Sequence, residues 1–318
     1  MGLKTRYRKI VALAGGVGGA KLLQGLDGAA PDGAVTGIVN TADDFYLYGL
    51  HISPDLDTVM YTLAGIANPA TGWGIDGDTR HTLDALARYG EDPWFLVGDQ
   101  DFATHILRTQ ALREGSTLTD ATLRLASRLG VRTPILPMTD DRVATEVRTA
   151  GGWLEFQDYF VARRHADEVL DVRFAGIDSA RPSDRVMRAI SEADLILFCP
   201  SNPLVSIEPI LALSGVRDAI MTSPAPVVAV SPIVGGKALK GPADRMLASK
   251  GVEVSARGVA RYYEGLIDGI VIDAEDVALA DDIHGAGLAV DVRNTIMGGR
   301  DDRVRLAGEI LDVEWESR

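Results

Sequence analysis

Short apolar runs that alternate with helical patterns constrain the fold of this 318-residue chain more than any other feature. The segment Lys9–Ala14 is apolar after its first residue and is followed at once by glycines, which is typical of a buried strand. Similar runs follow at Gly37–Val39, Gly130–Leu136, Asp194–Cys199, Pro226–Ser231 and Gly269–Asp273. Because helical patterns lie between them, we predict an α/β fold that is Rossmann-like and doubly wound, with a mainly parallel sheet.

The intervening segments divide into helices and one region of a different kind. Asp55–Ala64 has apolar side chains at helical spacing, and Pro54 ahead of it is a start signal. Further helices are predicted at Ala20–Leu26, Thr79–Tyr89, Phe102–Glu114 and Ser116–Leu129. Residues 139–180 instead contain alternating segments around Gly151 and Gly152, a pattern that favours an antiparallel hairpin. We therefore expect a single domain over residues 1–318 with a small inserted lobe at about 139–180.

Charge and composition exclude several classes of partner. Lys and Arg number 32 and Asp and Glu 45, so the formal net charge is −13. An acidic balance argues against nucleic acid as the main partner, because proteins that bind it usually carry a basic surface. No apolar stretch reaches the roughly 18 residues of a membrane span. The single cysteine, Cys199, excludes an internal disulfide. We expect a cytoplasmic protein without a membrane partner.

A glycine-rich loop lies between the first strand and the first helix. It contains Gly15, Gly16, Gly18, Gly19 and Lys21. Glycines let the backbone approach a ligand closely, and the start of the next helix offers free N–H groups to a phosphate. The loop lacks the Gly-Lys-Ser or Gly-Lys-Thr ending of a P-loop and does not match a dinucleotide motif cleanly. We predict a phosphate-binding loop; the alternative is a βα turn that binds nothing.

Acidic and polar residues follow the second strand and open the next helix. They are Asn40, Asp43, Asp44, Asp55, Asp57 and Thr58. Both segments are expected at the carboxyl ends of strands, where an open α/β sheet places its ligands. Asp55 also suits a helix cap. Four carboxylates exceed what capping needs and would repel one another unless they shared a proton or a cation, and hard oxygen ligands suit Mg²⁺.

Two further groups carry side chains suited to binding or catalysis. Asp99, Asp101 and His105 lie at the start of a predicted helix, although a lone histidine is more often a structural hydrogen-bonding residue. Ser201, Asn202 and Pro203 follow the strand that ends at Cys199, and they place hydroxyl and amide groups at the ligand edge of the sheet. We predict that both groups contact substrate and that His105 takes part in catalysis.

Together these motifs resemble the 2-phospho-L-lactate transferases of coenzyme F-420 biosynthesis. The similar segments run in the same order from about Ile10 to about Tyr263: residues 15–21, 40–44, 52–58, 98–99, 103–105, 136–141, 200–203 and 231–233. The resemblance implies a Rossmann-like fold, a homodimer and a requirement for Mg²⁺. It also implies a guanosine diphosphate ester as donor, the deazaflavin Fo as acceptor through its ribityl hydroxyl, and GMP as the released product.

The resemblance assigns roles to individual residues. Asp55 and Asp57 are expected to hold Mg²⁺ and to orient or deprotonate the hydroxyl of Fo. The glycine loop with Lys21, together with Ser201 and Asn202, is expected to hold the guanosine diphosphate moiety.

Two positions depart from the family pattern. Many relatives have Arg at the place of Gln100, and some have a basic residue at the place of Leu96. Loss of positive charge there leaves the acid of the donor open among phosphoenolpyruvate, 2-phospholactate and 3-phosphoglycerate.

Two rival functions remain compatible with the sequence. An NAD-dependent oxidoreductase would use an acidic residue such as Asp43 to bind the ribose, but it has no role for the segment 53–58. A nucleotide-sensing regulator of the same family would bind a nucleotide without turnover.

Overall fold

The apolar runs form the central strands of one parallel sheet in the computed structural model, which describes residues 6–317. The strands in that range are β1 (Ile10–Ala14), β2 (Val35–Val39), β3 (Phe45–Leu47), β4 (Leu50–Ile52), β5 (Ile135–Pro137), β6 (Ala144–Thr149), β7 (Gly152–Glu155), β8 (Asp171–Ala175), β9 (Leu195–Phe198), β10 (Val227–Val230), β11 (Ile233–Val234), β12 (Lys237–Ala238), β13 (Gly269–Asp273) and β14 (Ala289–Arg293). The main sheet has the order β14-β13-β10-β9-β1-β2-β5, and each neighbouring pair is parallel. The predicted fold class is confirmed.

Helices cover both faces of this sheet. They are α1 (Gly16–Ala29), α2 (Pro54–Ala64), α3 (His81–Arg88), α4 (Asp99–Arg113), α5 (Leu118–Arg128), α6 (Asp184–Glu192), α7 (Glu208–Leu211), α8 (Val216–Met221), α9 (Ala243–Ser249), α10 (Ala256–Tyr262), α11 (Ala280–Gly285) and α12 (Arg300–Asp312). Single helical turns of other types occupy Asp158–Ala162, Pro203–Ile207 and Ala274–Leu279. Within residues 6–317, none of the helices combines the length and the apolar character needed to span a bilayer.

Burial on both faces explains why the strands read as continuous apolar runs. In β1, Val11 and Leu13 enter one hydrophobic cluster, whereas Ile10, Ala12 and Ala14 enter another. Helices α6, α8 and α10 contribute to the first cluster, and α1, α2, α5 and α12 contribute to the second. A strand covered on both faces must be apolar at every position, so no polar alternation remains in the sequence.

The strand order places a ligand cleft beside β1. The sheet grows from β1 through β2 to β5, and it then resumes on the other side of β1 with β9. Open α/β sheets bind ligands at such a reversal, outside the carboxyl ends of the strands. Here the N–H of Gly15 donates to Oγ of Ser201 at 3.1 Å, and that hydroxyl donates to the oxygen of Gly15 at 2.8 Å. The fold thus joins two motifs that are far apart in the sequence.

A separate antiparallel sheet lies within the segment where the sequence predicts a small lobe. Its central strand β6 pairs with β7 and β8. The β6–β7 hairpin aligns Thr149 with Gly152, so the hairpin prediction is confirmed. Val147, Phe156 and Tyr159 are buried in the same cluster as residues of the main sheet. The small lobe, residues 144–175, therefore shares a core with the rest of the fold.

Helix α1 begins earlier than the sequence predicts. It starts at Gly16 rather than at Ala20, so Gly16, Gly18 and Gly19 form its first turn. The prediction was wrong because glycine is a poor helix former, and intrinsic propensity yields here to tertiary packing. The β3–β4 hairpin, edge strand β14 and helix α12 were not predicted either; β14 is only partly buried and lacks the continuous apolar run of the central strands.

Candidate functional site

A cavity of about 400 Å³ opens at the carboxyl ends of the central strands. We call residues 15–19 the glycine turn; residues 15–18 form one wall of the cavity. Other walls come from the start of α2, from α4, from residues 200–206 after β9 and from residues 156–161 of the small lobe. Residues 71–74 and 240–243 also line it. The cavity therefore collects segments from most of the chain at the cleft beside β1.

The glycine turn is glycine-rich because other chain segments approach it closely. A Cβ on Gly18 would lie 2.1 Å from the backbone oxygen of Pro200, and one on Gly15 would lie 2.6 Å from Oδ2 of Asp55. Gly16 has a φ of +63°, a conformation that favours glycine. Its N–H donates to Oδ1 of Asp55 at 2.8 Å. An N–H at the start of α1, where the sequence predicts a phosphate, thus already has a carboxylate acceptor.

The acidic residues around Asp55 are buried together. Nδ2 of Asn40 donates to Oδ2 of Asp55 at 3.0 Å. Burial raises the pKa of Asp55 to about 6, although hydrogen bonds from Asn40 and Gly16 act in the opposite direction. Burial, and after it the charge of Asp55, raises the pKa of Asp43 well above its ordinary value. These carboxylates therefore need a shared proton or a cation to lie side by side at neutral pH.

Because the pKa of Asp55 is raised in the folded protein, we predict that the free energy of unfolding falls as the pH rises. Folded Asp55 holds its proton up to about pH 6, whereas the unfolded group loses it near the ordinary value of 3.8. The stabilisation is therefore fully present below pH 3.8 and is lost as the pH rises through about 6. We expect the free energy of unfolding, relative to Asp55→Asn, to fall by on the order of 3 kcal/mol between pH 4 and pH 8. Urea denaturation in EDTA measures this difference, and a difference that does not change with pH would contradict the raised pKa.

A buried network of charges joins α2 to α4. The fully buried Arg108 donates from Nη1 to Oδ2 of Asp57 at 3.1 Å and from Nη2 to Oδ1. His105 lies between two carboxylates: its Nδ1 is 3.6 Å from Oδ2 of Asp57, and its Nε2 is 3.3 Å from Oδ1 of Asp101. Tyr61 donates its hydroxyl to the same oxygen of Asp101 at 2.5 Å. His105 therefore lies between two carboxylates, with the guanidinium of Arg108 3.3 Å from its Nδ1.

Most of the predicted site residues line the cavity. They are Gly15, Gly16, Gly18, Asp43, Asp55, Asp57, Thr58, Asp101, His105, Ser201 and Asn202. The others lie behind it or beside it: Gly19, Lys21, Asn40, Asp44, Asp99 and Pro203. Asn40 and Asp44 are next to cavity residues, since Asn40 holds Asp55 and Asp44 accepts a hydrogen bond from Ser53 at 2.7 Å.

Lys21 and Asp99 have structural partners outside the cavity. Nζ of Lys21 donates to the carbonyl oxygen of Met297 at 2.8 Å. Asp99 accepts hydrogen bonds from the Thr79 hydroxyl and from the N–H groups of His81 and Thr82 at the start of α3, and these bonds lower its pKa. We therefore infer that Asp99 caps the start of α3.

Several residues of the site were not predicted from the sequence. Arg108 does not line the cavity itself but pairs with Asp57, and its spacing of three residues from His105 was the only local signal of it. Phe156 and Phe160 of the small lobe also line the cavity, with ring centroids 5.5 Å apart. Lys240 lines it from the segment after β12. Nothing local in the sequence distinguishes Phe156, Phe160 and Lys240 from core or surface residues.

Two groups of side chains have the chemistry of metal ligands. Asp57, Asp101 and His105 each offer one ligand atom, and these atoms lie within 4.8 Å of one another. However, the guanidinium of Arg108 bonds Asp57, and its Nη1 lies 3.3 Å from Nδ1 of His105. A divalent cation in this group would be repelled by that fixed positive charge.

The second group, Asp43, Asp44 and Asp55, suits Mg²⁺ better. Oδ1 of Asp43 is buried without a hydrogen-bond partner among residues 6–317, and Oδ1 of Asp44 is in the same condition. Asp43 and Asp55 both line the cavity, and each charge disfavours the other. This group offers oxygen ligands only, which suit a hard cation. A bound cation would also satisfy the unpaired oxygen and reduce the repulsion between the carboxylates. Asp55 and Asp57, which the sequence predicts as a pair, thus have different partners.

Comparisons with known proteins identify relatives over nearly the full chain. The family model described as "2-phospho-L-lactate transferase CofD" matches residues 10–287. The "Phosphoenolpyruvate transferase" of Streptomyces griseus is 45% identical over 98% of this chain and 99% of its own. The "2-phospho-L-lactate transferase" of Methanosarcina mazei is 38% identical over 96% of this chain and 100% of its own.

A solved structure shares the fold at much lower identity. Protein BH3568 from Bacillus halodurans aligns with a TM-score of 0.63 at 17% identity, over 96% of this chain and 99% of its own. That likeness supports the fold alone, whereas the family match and the two transferases extend to the sequence itself. The chain therefore belongs to the 2-phospho-L-lactate transferase family, the transferase family of coenzyme F-420 biosynthesis that its motifs resemble.

Proposed function

We propose that the chain transfers a phosphoenolpyruvyl or phospholactyl group from a guanosine diphosphate ester to the ribityl hydroxyl of the deazaflavin Fo and releases GMP. The observation that carries the proposal is that two kinds of wall line one cavity. The glycine turn and Ser201 form one, and the Asp57–His105–Asp101 network on α2 and α4 forms the other. Phosphoryl transfer to an alcohol needs both a phosphate site and groups that handle the hydroxyl proton.

The glycine-turn end suits the diphosphate of the donor. The close approach of residues 15–18 to residues 200–201 leaves backbone and hydroxyl groups rather than bulky side chains at this wall. The start of α1 adds the positive end of its helix dipole. As negative charge builds on the phosphate oxygens in the transition state, this dipole stabilises it.

The network on α2 and α4 suits the acceptor hydroxyl. In the proposed step, the hydroxyl oxygen of Fo forms a bond to the phosphorus that carries the organic acid. The bond from that phosphorus to the oxygen bridging it to GMP breaks, and GMP leaves with that oxygen. Asp57, held in place by Arg108, accepts the hydrogen bond of the hydroxyl. Asp57 then takes the proton, and the neighbouring His105, 3.6 Å from that carboxylate, helps to orient it.

Mg²⁺ is proposed as the cofactor, held by Asp43 and Asp55. The unsatisfied Oδ1 of Asp43 and the raised pKa values of both groups support this choice over Asp55 with Asp57. When bound, Mg²⁺ neutralises charge on the phosphates. The chain's own contribution is to hold Asp55 at the glycine turn, through Asn40 and the N–H of Gly16, beside Asp43.

The identity of the acid is proposed from the relatives. The Streptomyces griseus relative named for phosphoenolpyruvate is 45% identical, against 38% for the Methanosarcina mazei relative named for 2-phospholactate. Leu96 lines the cavity, whereas Gln100 does not. An apolar residue at position 96 removes a cation from the cavity wall, so this departure bears on the acid more than Gln100 does. We propose the phosphoenolpyruvate ester as the donor, ahead of the phospholactate and phosphoglycerate esters.

One turnover assay tests the function and the donor together. The protein is mixed with Fo, Mg²⁺ and each of the three guanylylated acids, and GMP and the Fo product are separated by chromatography. We expect GMP release equal to formation of a new phosphodiester of Fo, fastest with the phosphoenolpyruvate ester and abolished by EDTA. Fo that stays unmodified with every donor, in a protein that still binds guanine nucleotide, would replace the proposal with the nucleotide-sensing function. A homodimer remains a prediction of the resemblance, and a cytoplasmic location remains a prediction of the composition.

A further inference from the structure

The charges around the cavity are strongly unbalanced. Asp43, Asp55, Asp57 and Asp101 line it, yet among residues 6–317 Lys240 is the single lysine or arginine that does so. The donor proposed above carries two phosphates and a carboxylate. Beside the proposed Mg²⁺, a cation supplied by the chain itself would favour entry of such an anion past four carboxylates, because like charges at short range oppose binding.

Lys240 lies beside the start of α1. The β11–β12 hairpin, which turns through Gly235 and Gly236, carries the chain from the end of β10 toward this position. Nζ of Lys240 donates to the carbonyl oxygen of Thr71 at 2.7 Å. A Cβ on Gly72 would lie 2.6 Å from Cγ1 of Val17 and 3.3 Å from this Nζ. The ammonium group of this exposed lysine therefore lies next to the first turn of α1.

Two other cations, Lys21 and Arg303, lie near Lys240. Burial lowers the pKa of Lys21, and the charges of Arg303 and Lys240 lower it further, so these three cations lie within electrostatic range. Within the described range, none of the three has a carboxylate at salt-bridge distance. Their donors meet neutral oxygens instead, of Met297, Gln24 and Thr71. In a chain with 45 acidic residues, cations left without a carboxylate partner favour an external anion.

We propose that Lys240 is a binding residue for the diphosphate of the donor. This inference rests on the proposed function and assigns to Lys240 the phosphate contact that the sequence analysis expected of Lys21. Thr71 holds the ammonium group at the glycine turn through a single hydrogen bond to a neutral oxygen, which a phosphate oxygen replaces with a stronger, charge-assisted one. Lys21, one turn further along α1 and bonded to Met297, adds positive potential from behind.

Binding of GDP to Lys240→Gln tests the proposal. The substitution keeps a hydrogen-bond donor but removes the charge, so we expect the Kd for GDP, by calorimetry, to rise about tenfold. The donor KM should rise with it, while kcat stays within a few-fold and Fo binding is unchanged. Lys240→Arg should retain most of the affinity. The matched control is Lys237→Gln, at an exposed lysine of the same hairpin that does not line the cavity, and it should bind GDP as the parent protein does.

The outcomes distinguish a failure of the role of Lys240 from a failure of the proposed function. GDP affinity of Lys240→Gln within twofold of the parent, or an equal loss in Lys237→Gln, overturns the role of Lys240 alone. A parent protein that binds no GDP overturns the proposed function itself. A loss in Lys240→Gln that comes with a lower melting temperature and weaker Fo binding would indicate a structural role, and this too overturns the proposal.

Discussion

Asp57→Asn should lower turnover by at least about a hundredfold, because it removes a charge that meets the reacting hydroxyl. Asn keeps one oxygen for the guanidinium of Arg108, so the fold should persist with reduced stability. The measurement is kcat from GMP release, with circular dichroism to verify folding. Asp84→Asn, at an exposed position of α3 outside the cavity, is the matched control. A folded Asp57→Asn protein with the parent's turnover would refute the assignment of Asp57.

Arg108→Met should lower the free energy of unfolding by about 3–5 kcal/mol, because it leaves the buried carboxylate of Asp57 without its partner. The side chain of Arg108 is fully buried, and its Nη1 also donates to the carbonyl oxygen of His51 at 3.4 Å. Urea denaturation at neutral pH measures the loss. Turnover should fall as well, since Asp57 would no longer be held toward the cavity.

A double-mutant cycle separates this ion pair from a general loss of packing. If Asp57 and Arg108 stabilise the protein mainly through each other, Asp57→Asn combined with Arg108→Met should cost clearly less than the sum of the single changes. Strict additivity would mean that the two side chains act independently, and the network on α2 and α4 would then lose its role in positioning Asp57.

The sequence predicted the sheet well because burial on both faces leaves a local record. The run from Ile10 to Ala14 is apolar at each position, the same holds for the runs that became β9 and β10, and β13 is apolar up to the buried Asp273 at its end. Strand β14 left no such record, because a partly buried edge strand tolerates polar residues such as Asp291. The glycine turn misled the prediction of α1 because close packing, rather than helix propensity, selects glycine there.

The site was predicted less completely, and the failures share one cause. Asp43, Asp55, Asp57 and His105 lie after strands or near the starts of helices, so their positions along the chain indicated a binding site. The side chains that surround them in the cavity belong to other segments of the chain. The residues that line the cavity from the small lobe, including Phe156, belong to a segment whose sequence indicates only a hairpin.

The sequence by itself determined the α/β class, the six central strands that its apolar runs indicate, the helices α1 to α5 and the motifs that follow the central strands. The tertiary structure alone decided which side chains meet. It paired Asp57 with Arg108, 51 residues away, and it placed Lys240 on Thr71, 169 residues away, while turning Lys21 toward Met297. Local patterns record how each segment is buried, but a charge takes its partner from whichever distant segment the packing brings within reach.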